Sequence, residues 1–101
     1  MKILHLTIKK QYFDLIISKQ KIIEYRKITP YWITRLENKT YDIIYFRNGY
    51  SRKSPYLIAE FNYLRKIIYH NKFHYAIYLG KILEFGNLKE SNSQLKLFNV
   101  L

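Results

Sequence analysis

The segment Lys21-Ile22-Ile23-Glu24-Tyr25-Arg26 holds the densest set of charged side chains in this sequence. Its alternation predicts a short strand with Glu24 and Arg26 on the same face, and Lys21 lies where that strand begins. A lysine, a carboxylate and an arginine that converge on one edge can bind a phosphate or a nucleobase, and Lys21 with Glu24 could also do acid–base chemistry. The alternative is an ordinary water-facing surface pair of Glu24 with Arg26 or Lys21, which would contribute little to stability.

Two elements are predicted before this segment. The run Ile3 to Ile8 alternates as a strand does. Lys9 to Ser18 is predicted to be a helix, because its apolar residues are spaced to form one stripe, namely Tyr12, Phe13, Ile16 and Ile17. Lys19-Gln20 is predicted to form the turn that leads out of the helix.

A second helix and a central strand are predicted after it. Thr29-Pro30 has the pattern of an N-cap followed by a first helical proline. The helix Pro30 to Glu37 would bury Leu36 together with either Trp32 or Ile33. Tyr41 to Arg47 is predicted to be a strand, and Asn48-Gly49 is a strong turn signal.

The rest of the chain is predicted to be mainly β-structure. Tyr56 to Tyr63 alternates as a strand, and Leu64 to Tyr69 is predicted to continue it after a bend. Phe73 to Leu79 and Lys81 to Phe85 are either two strands about Gly80 or one strand with a bulge there. The sum is an α+β fold with a curled or barrel-like sheet of five to six strands and two short helices near the N-terminus.

The predicted domain covers residues 1–85, and residues 86–101 form a C-terminal extension. Gly86 to Ser93 is polar and is interpreted as a linker. Gln94 to Leu101 is apolar again, and we expect it to be an added strand or a docking tail.

The composition favours a phosphate-rich partner. The chain has 101 residues and a net charge of +11, and such an excess of cations is typical of proteins that bind RNA, DNA or nucleotides. From Ile43 to Ile82 the only acidic residue is Glu60, which is difficult to explain as a balanced solvated surface. The alternative is genome bias, because residues with A/T-rich codons make up half of the chain.

Several classes of site are excluded or disfavoured. The chain has no cysteine, which excludes disulfides, thiolate metal sites and cysteine nucleophiles. His70 and His74 are four residues apart, a metal spacing only on a helix, and no helix is predicted there. The three scattered glycines form no phosphate-binding loop, so neither a metal nor a cofactor is expected. With no apolar run of about 20 residues and no signal-peptide pattern, a cytoplasmic protein with no membrane partner is expected.

The chain resembles the ASCH family, which is related to the PUA domains. That family has a small β-barrel and a helix that leads into a strand with the pattern G-x-K-x-x-E-x-R. The resemblance covers about residues 1–85 and is carried by the following segments: His5-Leu6-Thr7, Tyr12-Phe13, Ile16-Ile17-Ser18, Lys21 to Arg26, Tyr31-Trp32, Arg35-Leu36, Arg47-Asn48-Gly49-Tyr50 and Phe73 to Gly80.

The resemblance implies a cleft between the early helices and a PUA-like barrel. ASCH and PUA-like domains are associated with RNA and with modified nucleosides, so an RNA- or nucleotide-binding module is expected. By motif, Lys21, Glu24 and Arg26 would line the cleft. The remaining candidate ligand residues lie on a neighbouring strand end or are aromatic: Arg47, Asn48, Tyr50, Tyr25 and Trp32.

Two positions depart from the family pattern. The glycine before the lysine is replaced by Lys19, so the turn must form without glycine's freedom at positive φ. In a branch of the family that hydrolyses N4-acetylcytidine, a threonine nucleophile lies three residues after the lysine, and this chain has Glu24 there.

The departure at Glu24 favours a binding module over a nucleoside amidohydrolase or a ribonuclease. If the chain is nevertheless an enzyme, Lys21 and Glu24 are the expected catalytic pair. A third hypothesis is a phage or mobile-element inhibitor that binds a host nucleic-acid-handling protein, because small basic proteins of this composition occur there.

Overall fold

The computed structural model describes residues 1–88, which form five strands and two helices. The predicted tail Gln94 to Leu101 and most of the predicted linker lie outside the described residues. In chain order the elements are β1 (Ile3–Thr7), α1 (Lys10–Ile17), β2 (Ile23–Lys27), α2 (Pro30–Leu36), β3 (Ile43–Arg47), β4 (Tyr56–Tyr69) and β5 (Lys72–Gly86).

The five strands form one sheet in the order β1-β3-β4-β5-β2. β1 is parallel to β3, and the other neighbouring pairs are antiparallel. The sheet is curled into a half-barrel in a small α+β fold. The predicted fold class is therefore confirmed at this level. Because β1 and β2 are the two edge strands of the sheet, the chain segments around Thr7 and Arg26 come together only through the curl.

The long hairpin of β4 and β5 lies inside the sheet, with β3 and β1 on one side of it and β2 on the other. β3 pairs with the first part of β4, at Tyr56 to Glu60, whereas β2 pairs with the first part of β5, at His74 to Tyr78. The register between β4 and β5 shifts between Ile58 and Tyr63. The alternative of one strand with an irregularity near Gly80 is confirmed, because β5 runs unbroken from Lys72 to Gly86 and the register shifts opposite Gly80. Glycine is required there, since a Cβ would lie 2.7 Å from Asn62 Oδ1 and 2.8 Å from Glu60 Cβ.

The core lies between the concave face of the sheet and the helices. Alternate residues of β1 and β3 are buried, as the sequence pattern predicts. The largest buried side chains come from both helices and from the three inner strands β3, β4 and β5, and they include Phe13, Ile17, Leu36, Ile44, Phe46, Leu57, Tyr75 and Ile77. Tyr12, predicted to belong to the apolar stripe of α1, is instead exposed.

Helix α2 is fixed at both ends. The hydroxyl of Thr29 accepts a hydrogen bond from the Trp32 N–H, which confirms the predicted N-cap. After the helix, the Glu37 carboxylate accepts hydrogen bonds from Lys66 Nζ and from the buried Tyr75 hydroxyl. The hydrogen bond from Lys66, with that from Tyr75, lowers the pKa of Glu37 below its ordinary value of 4.5. This network joins α2 to the β4–β5 hairpin.

The turn from α1 into β2 has left-handed backbone at a lysine. Lys19 has a φ of 66°, the N–H of Lys19 donates to the Ile16 carbonyl, and the N–H of Gln20 donates to the Leu15 carbonyl. This is the helix-ending arrangement in which glycine is the usual residue. The expectation that Lys19 must form this turn without glycine's freedom is therefore confirmed.

Replacing Lys19 with glycine is expected to stabilise the protein by about 1 kcal/mol, because the left-handed region costs a residue with a Cβ about 1–2 kcal/mol and glycine much less. Urea denaturation monitored by circular dichroism measures the change. Lys27→Gly is the matched control: Lys27 lies on β2, where glycine should destabilise by roughly 0.5–1 kcal/mol. Equal effects of the two substitutions would contradict the assignment of strain to Lys19.

Candidate functional site

Glu24 is the buried centre of the predicted charged cluster. On β2 its side chain lies on the face that continues into the core, and the residue is only 6% exposed. Its Oε2 accepts hydrogen bonds from Arg26 Nε at 3.0 Å and from a terminal nitrogen of Arg26 at 2.7 Å. A buried carboxylate needs such a partner, because an unpaired charge in the interior is costly. The alternative of a water-facing Glu24–Arg26 pair is therefore wrong.

Lys21 completes the cluster from the other side. Its Nζ lies 3.4 Å from Glu24 Oε1 and donates a hydrogen bond of 2.6 Å to the Ile23 carbonyl. The turn at Lys19 makes this possible, since it places Lys21 two residues before the start of β2. Lys21, Glu24 and Arg26 are thus brought together as the sequence predicts, with two cations on one carboxylate.

Arg26 also closes the gap between the two edge strands. A terminal nitrogen of its guanidinium donates to the Thr7 carbonyl on β1 at 3.3 Å. The same guanidinium lies 4.9 Å from the centre of the Trp32 ring on α2, within the range of a cation–π contact. The side chain therefore has a structural function in addition to any ligand contact.

Aromatic rings flank the cluster. Lys21 Nζ lies 5.6 Å from the centre of the Tyr12 ring and 5.3 Å from that of Tyr25. The Tyr25 ring stacks on Tyr69 with a centroid separation of 4.4 Å and an interplanar angle of 6°. A cationic centre is thus bordered by ring faces, which suits a ligand that has both charge and a flat π-system.

Two adjoining cavities lie above the cluster, and we call them together the cleft. One has a volume of about 450 Å³ and the other about 330 Å³. Both are lined by Tyr12, Glu24, Tyr25 and Lys27. The exposed side chains of Lys9 and Lys27 add positive charge at the rim. The remaining lining residues are Thr7, Ile8, Arg26, Thr29 and Trp32 in the larger cavity and Lys21, Tyr69 and His74 in the smaller one.

The candidates from the third strand and its turn lie outside the lining of the cleft. Arg47 pairs with Thr7 in the β1–β3 ladder, and its guanidinium lies 4.9 Å from the Tyr45 ring centre. The Asn48 amide donates to the Ile8 carbonyl at 2.9 Å, which fixes the turn to the wall of the cleft. Tyr50 is 92% exposed in the loop that follows.

Comparison of the sequence with models of known protein families gives no match, and comparison with curated proteins gives none. The residues of the cleft themselves therefore carry the functional argument.

No metal site is formed within residues 1–88, where no group of three or more histidine, cysteine or acidic residues could hold an ion. His74 is buried, and its Nδ1 lies 2.9 Å from the Lys72 carbonyl. No helix in the same part of the chain is long and apolar enough to cross a membrane.

Sequence reasoning did not single out eight residues of the cleft as ligand residues: Thr7, Ile8, Lys9, Tyr12, Lys27, Thr29, Tyr69 and His74. Lys27 carried a local signal, because it extends the charged strand by one residue. For Tyr69 no local signal exists. It reaches Tyr25 only because the β4–β5 hairpin folds back beside β2.

Proposed function

We propose that the protein is an RNA- or nucleotide-binding module of the ASCH and PUA-like type that holds its ligand in the cleft. The observation that carries the proposal is the composition of the cleft, in which Lys9, Lys21 and Lys27 surround ring faces. Cations at such a site bind phosphate oxygens through charge-assisted hydrogen bonds. Tyrosine and tryptophan rings stack on bases without requiring a particular sequence.

The cluster of Lys21, Glu24 and Arg26 would give the ligand a rigid binding surface. Glu24 orients Lys21 and Arg26 by ion pairing, so neither cation must lose much conformational freedom when a phosphate binds. The exposed Lys9 and Lys27 would supply contacts to phosphates at the rim. The resemblance to the ASCH family supports the same ligand class.

The proposed function predicts electrostatic binding of single-stranded RNA. With three to five cations engaged, the slope of log K against log salt should be roughly −2 to −4, since each phosphate contact contributes about −0.7. Fluorescence anisotropy with a labelled oligouridylate at several salt concentrations measures the slope. Binding that does not depend on salt, or no binding at low salt, would reject the proposal.

A pair of double variants locates the binding to the cleft. Lys9→Ala with Lys27→Ala should make the slope less negative by about 1.4, because two phosphate contacts are lost. Lys39→Ala with Lys53→Ala removes the same charge from exposed positions elsewhere and should change the slope much less. An equal change in both double variants would show that only net charge matters.

A protein partner is the second candidate, and exposed apolar surface favours it. Ile68 and Phe73 form a cross-strand pair at the tip of the β4–β5 hairpin, and each is 66% exposed. Inhibition of a host nucleic-acid-handling protein would use such a surface. Capture of a partner from lysate that persists after nuclease treatment, and that is lost with Phe73→Ser, would favour this candidate.

A further inference from the structure

The convex face of the sheet carries two stacked tyrosine pairs, one within the β4–β5 hairpin and one between the hairpin and β2. Tyr63 and Tyr78 face each other across the strands with ring centroids 4.2 Å apart and an interplanar angle of 14°. Tyr78 also pairs with Ile23 of β2, so the neighbouring alternate residue, Tyr25, lies on the same face. Tyr63 is 45% exposed and Tyr69, the partner of Tyr25, is 39% exposed, which leaves ring surface open to solvent.

Arg65 extends the Tyr63–Tyr78 pair, and we call Arg65 and the two tyrosine pairs together the layer. Its guanidinium lies 5.4 Å from the Tyr63 ring centre and 5.9 Å from that of Tyr78. Arg65 and Tyr25 are each paired with Ala76, one from either side. Ala76 is completely buried although it lies on the convex face, so the surrounding rings and the guanidinium close over it.

The charge on this part of the face is one-sided. In the described chain its ionisable residues other than tyrosines are Lys27, Arg65, Lys72 and His74, and none is acidic. Carboxylates on the convex side occur toward the other end of the sheet. There Glu60 accepts the N–H of Lys81 and Glu84 accepts the hydroxyl of Tyr56.

This layer is continuous with the cleft. Tyr25, Lys27, Tyr69 and His74 line its smaller cavity and also belong to the convex face. The row of Tyr63 and Tyr78 is two residues further along the strands than the row of Tyr25, a distance of about 7 Å. A chain that leaves the cleft over β2 therefore meets a second pair of rings after a short step.

We propose that a single-stranded nucleic acid runs from the cleft over β2 onto this convex face. Its bases would stack on the Tyr25–Tyr69 and Tyr63–Tyr78 pairs, and Arg65 would contact its phosphates. The inference rests on the proposed function and narrows its ligand to a strand of several nucleotides. A duplex would not fit this mode, because its base faces are already stacked inside the helix.

The test compares ligand lengths in a variant of the convex face. Labelled oligouridylates of two and eight nucleotides, the DNA octamer of thymidylate and a duplex RNA are titrated by fluorescence anisotropy at low salt. The wild-type protein should bind the octamers more tightly than either the dinucleotide or the duplex. Tyr63→Leu with Arg65→Gln should weaken octamer binding at least 10-fold, since base stacking on one ring contributes about 1–3 kcal/mol, and should leave dinucleotide binding unchanged.

The matched control removes the same groups from α2. Arg35 lies over the Tyr31 ring at 3.4 Å, and Tyr31→Leu with Arg35→Gln should bind the octamer as the wild type does. Because tyrosine pairs also stabilise sheets, thermal melting must show that both double variants are folded at the assay temperature. Tyr63→Phe, which keeps the ring, should retain octamer binding.

The outcomes separate this inference from the proposed function. Equal affinities for the dinucleotide and the octamer would overturn the convex path and leave the cleft as the binding site. An unchanged octamer affinity in the Tyr63→Leu, Arg65→Gln variant would do the same. Equal binding of duplex and single strand would also overturn it. No binding of any ligand at low salt would reject both. The RNA and DNA octamers then show which of the two strands is preferred.

Discussion

Ile44→Asp is expected to unfold the protein. Ile44 is 0% exposed and lies on β3, between Leu4 of β1 and Ala59 of β4. An aspartate there would place a charge, or a protonated carboxyl without a partner, among apolar side chains. The cost is several kcal/mol, which is a large share of the roughly 5–15 kcal/mol that stabilises an ordinary domain. Circular dichroism should show loss of the cooperative thermal transition.

A control with the same substitution separates burial from charge. Ile68 lies on β4 and is 66% exposed, so Ile68→Asp should cost less than about 1 kcal/mol. If Ile44→Asp melts cooperatively and close to the wild type, β3 is not central to the core. That result would contradict the position of β3 between β1 and β4.

Arg26→Met is expected to lower the free energy of unfolding by about 3 kcal/mol, toward the lower end of the cost of breaking a buried ion pair. The variant removes both hydrogen bonds to the buried Glu24 carboxylate and leaves Lys21 at 3.4 Å as its cation. It also removes the bond to the Thr7 carbonyl that joins the edge strands. Urea denaturation measures the loss, and Arg52→Met, at an exposed loop position, is the control.

A double-mutant cycle assigns the loss to the ion pair. Glu24→Gln removes the buried charge, so Arg26→Met should cost less in that background, with a coupling of about 1–3 kcal/mol. A loss of under about 0.5 kcal/mol for Arg26→Met in the wild-type background would show that the pair is solvated. The Arg26 guanidinium would then be available to a ligand, as expected for an exposed side chain on an edge strand.

The order of elements could be predicted from the sequence because its signals are local. The alternation of β1 and β3, the apolar stripe of α1 and the Thr29-Pro30 start of α2 each depend on residues within one or two turns of each other. The irregularity of the β4–β5 ladder near Gly80 also had a local signal, the glycine itself. Such patterns left alternatives open where two residues fit equally well. The structure decides between Trp32 and Ile33, since Trp32 packs against the core and Ile33 is 42% exposed.

The site could be predicted only in part for the same reason. Lys21, Glu24 and Arg26 are close in sequence, so their convergence on one strand followed from the period of the strand. The two-residue period of a strand predicts that Glu24 and Arg26 share a face, but it does not predict which face packs against the core. The burial of Glu24 and the bond from Arg26 to Thr7 depend on the curl of the sheet, which brings β1 and β2 together.

The sequence by itself determined the elements, the charged strand and the excess of positive charge, since composition and short-range periodicity set these. The tertiary structure alone decided which distant residues meet. Tyr25 stacks on Tyr69, and Tyr63 on Tyr78, because the register of three antiparallel strands places them on one face. A shift of one residue in that register would turn these rings toward the other face of the sheet. Register is set by core packing across the whole sheet, which no single segment of the sequence contains.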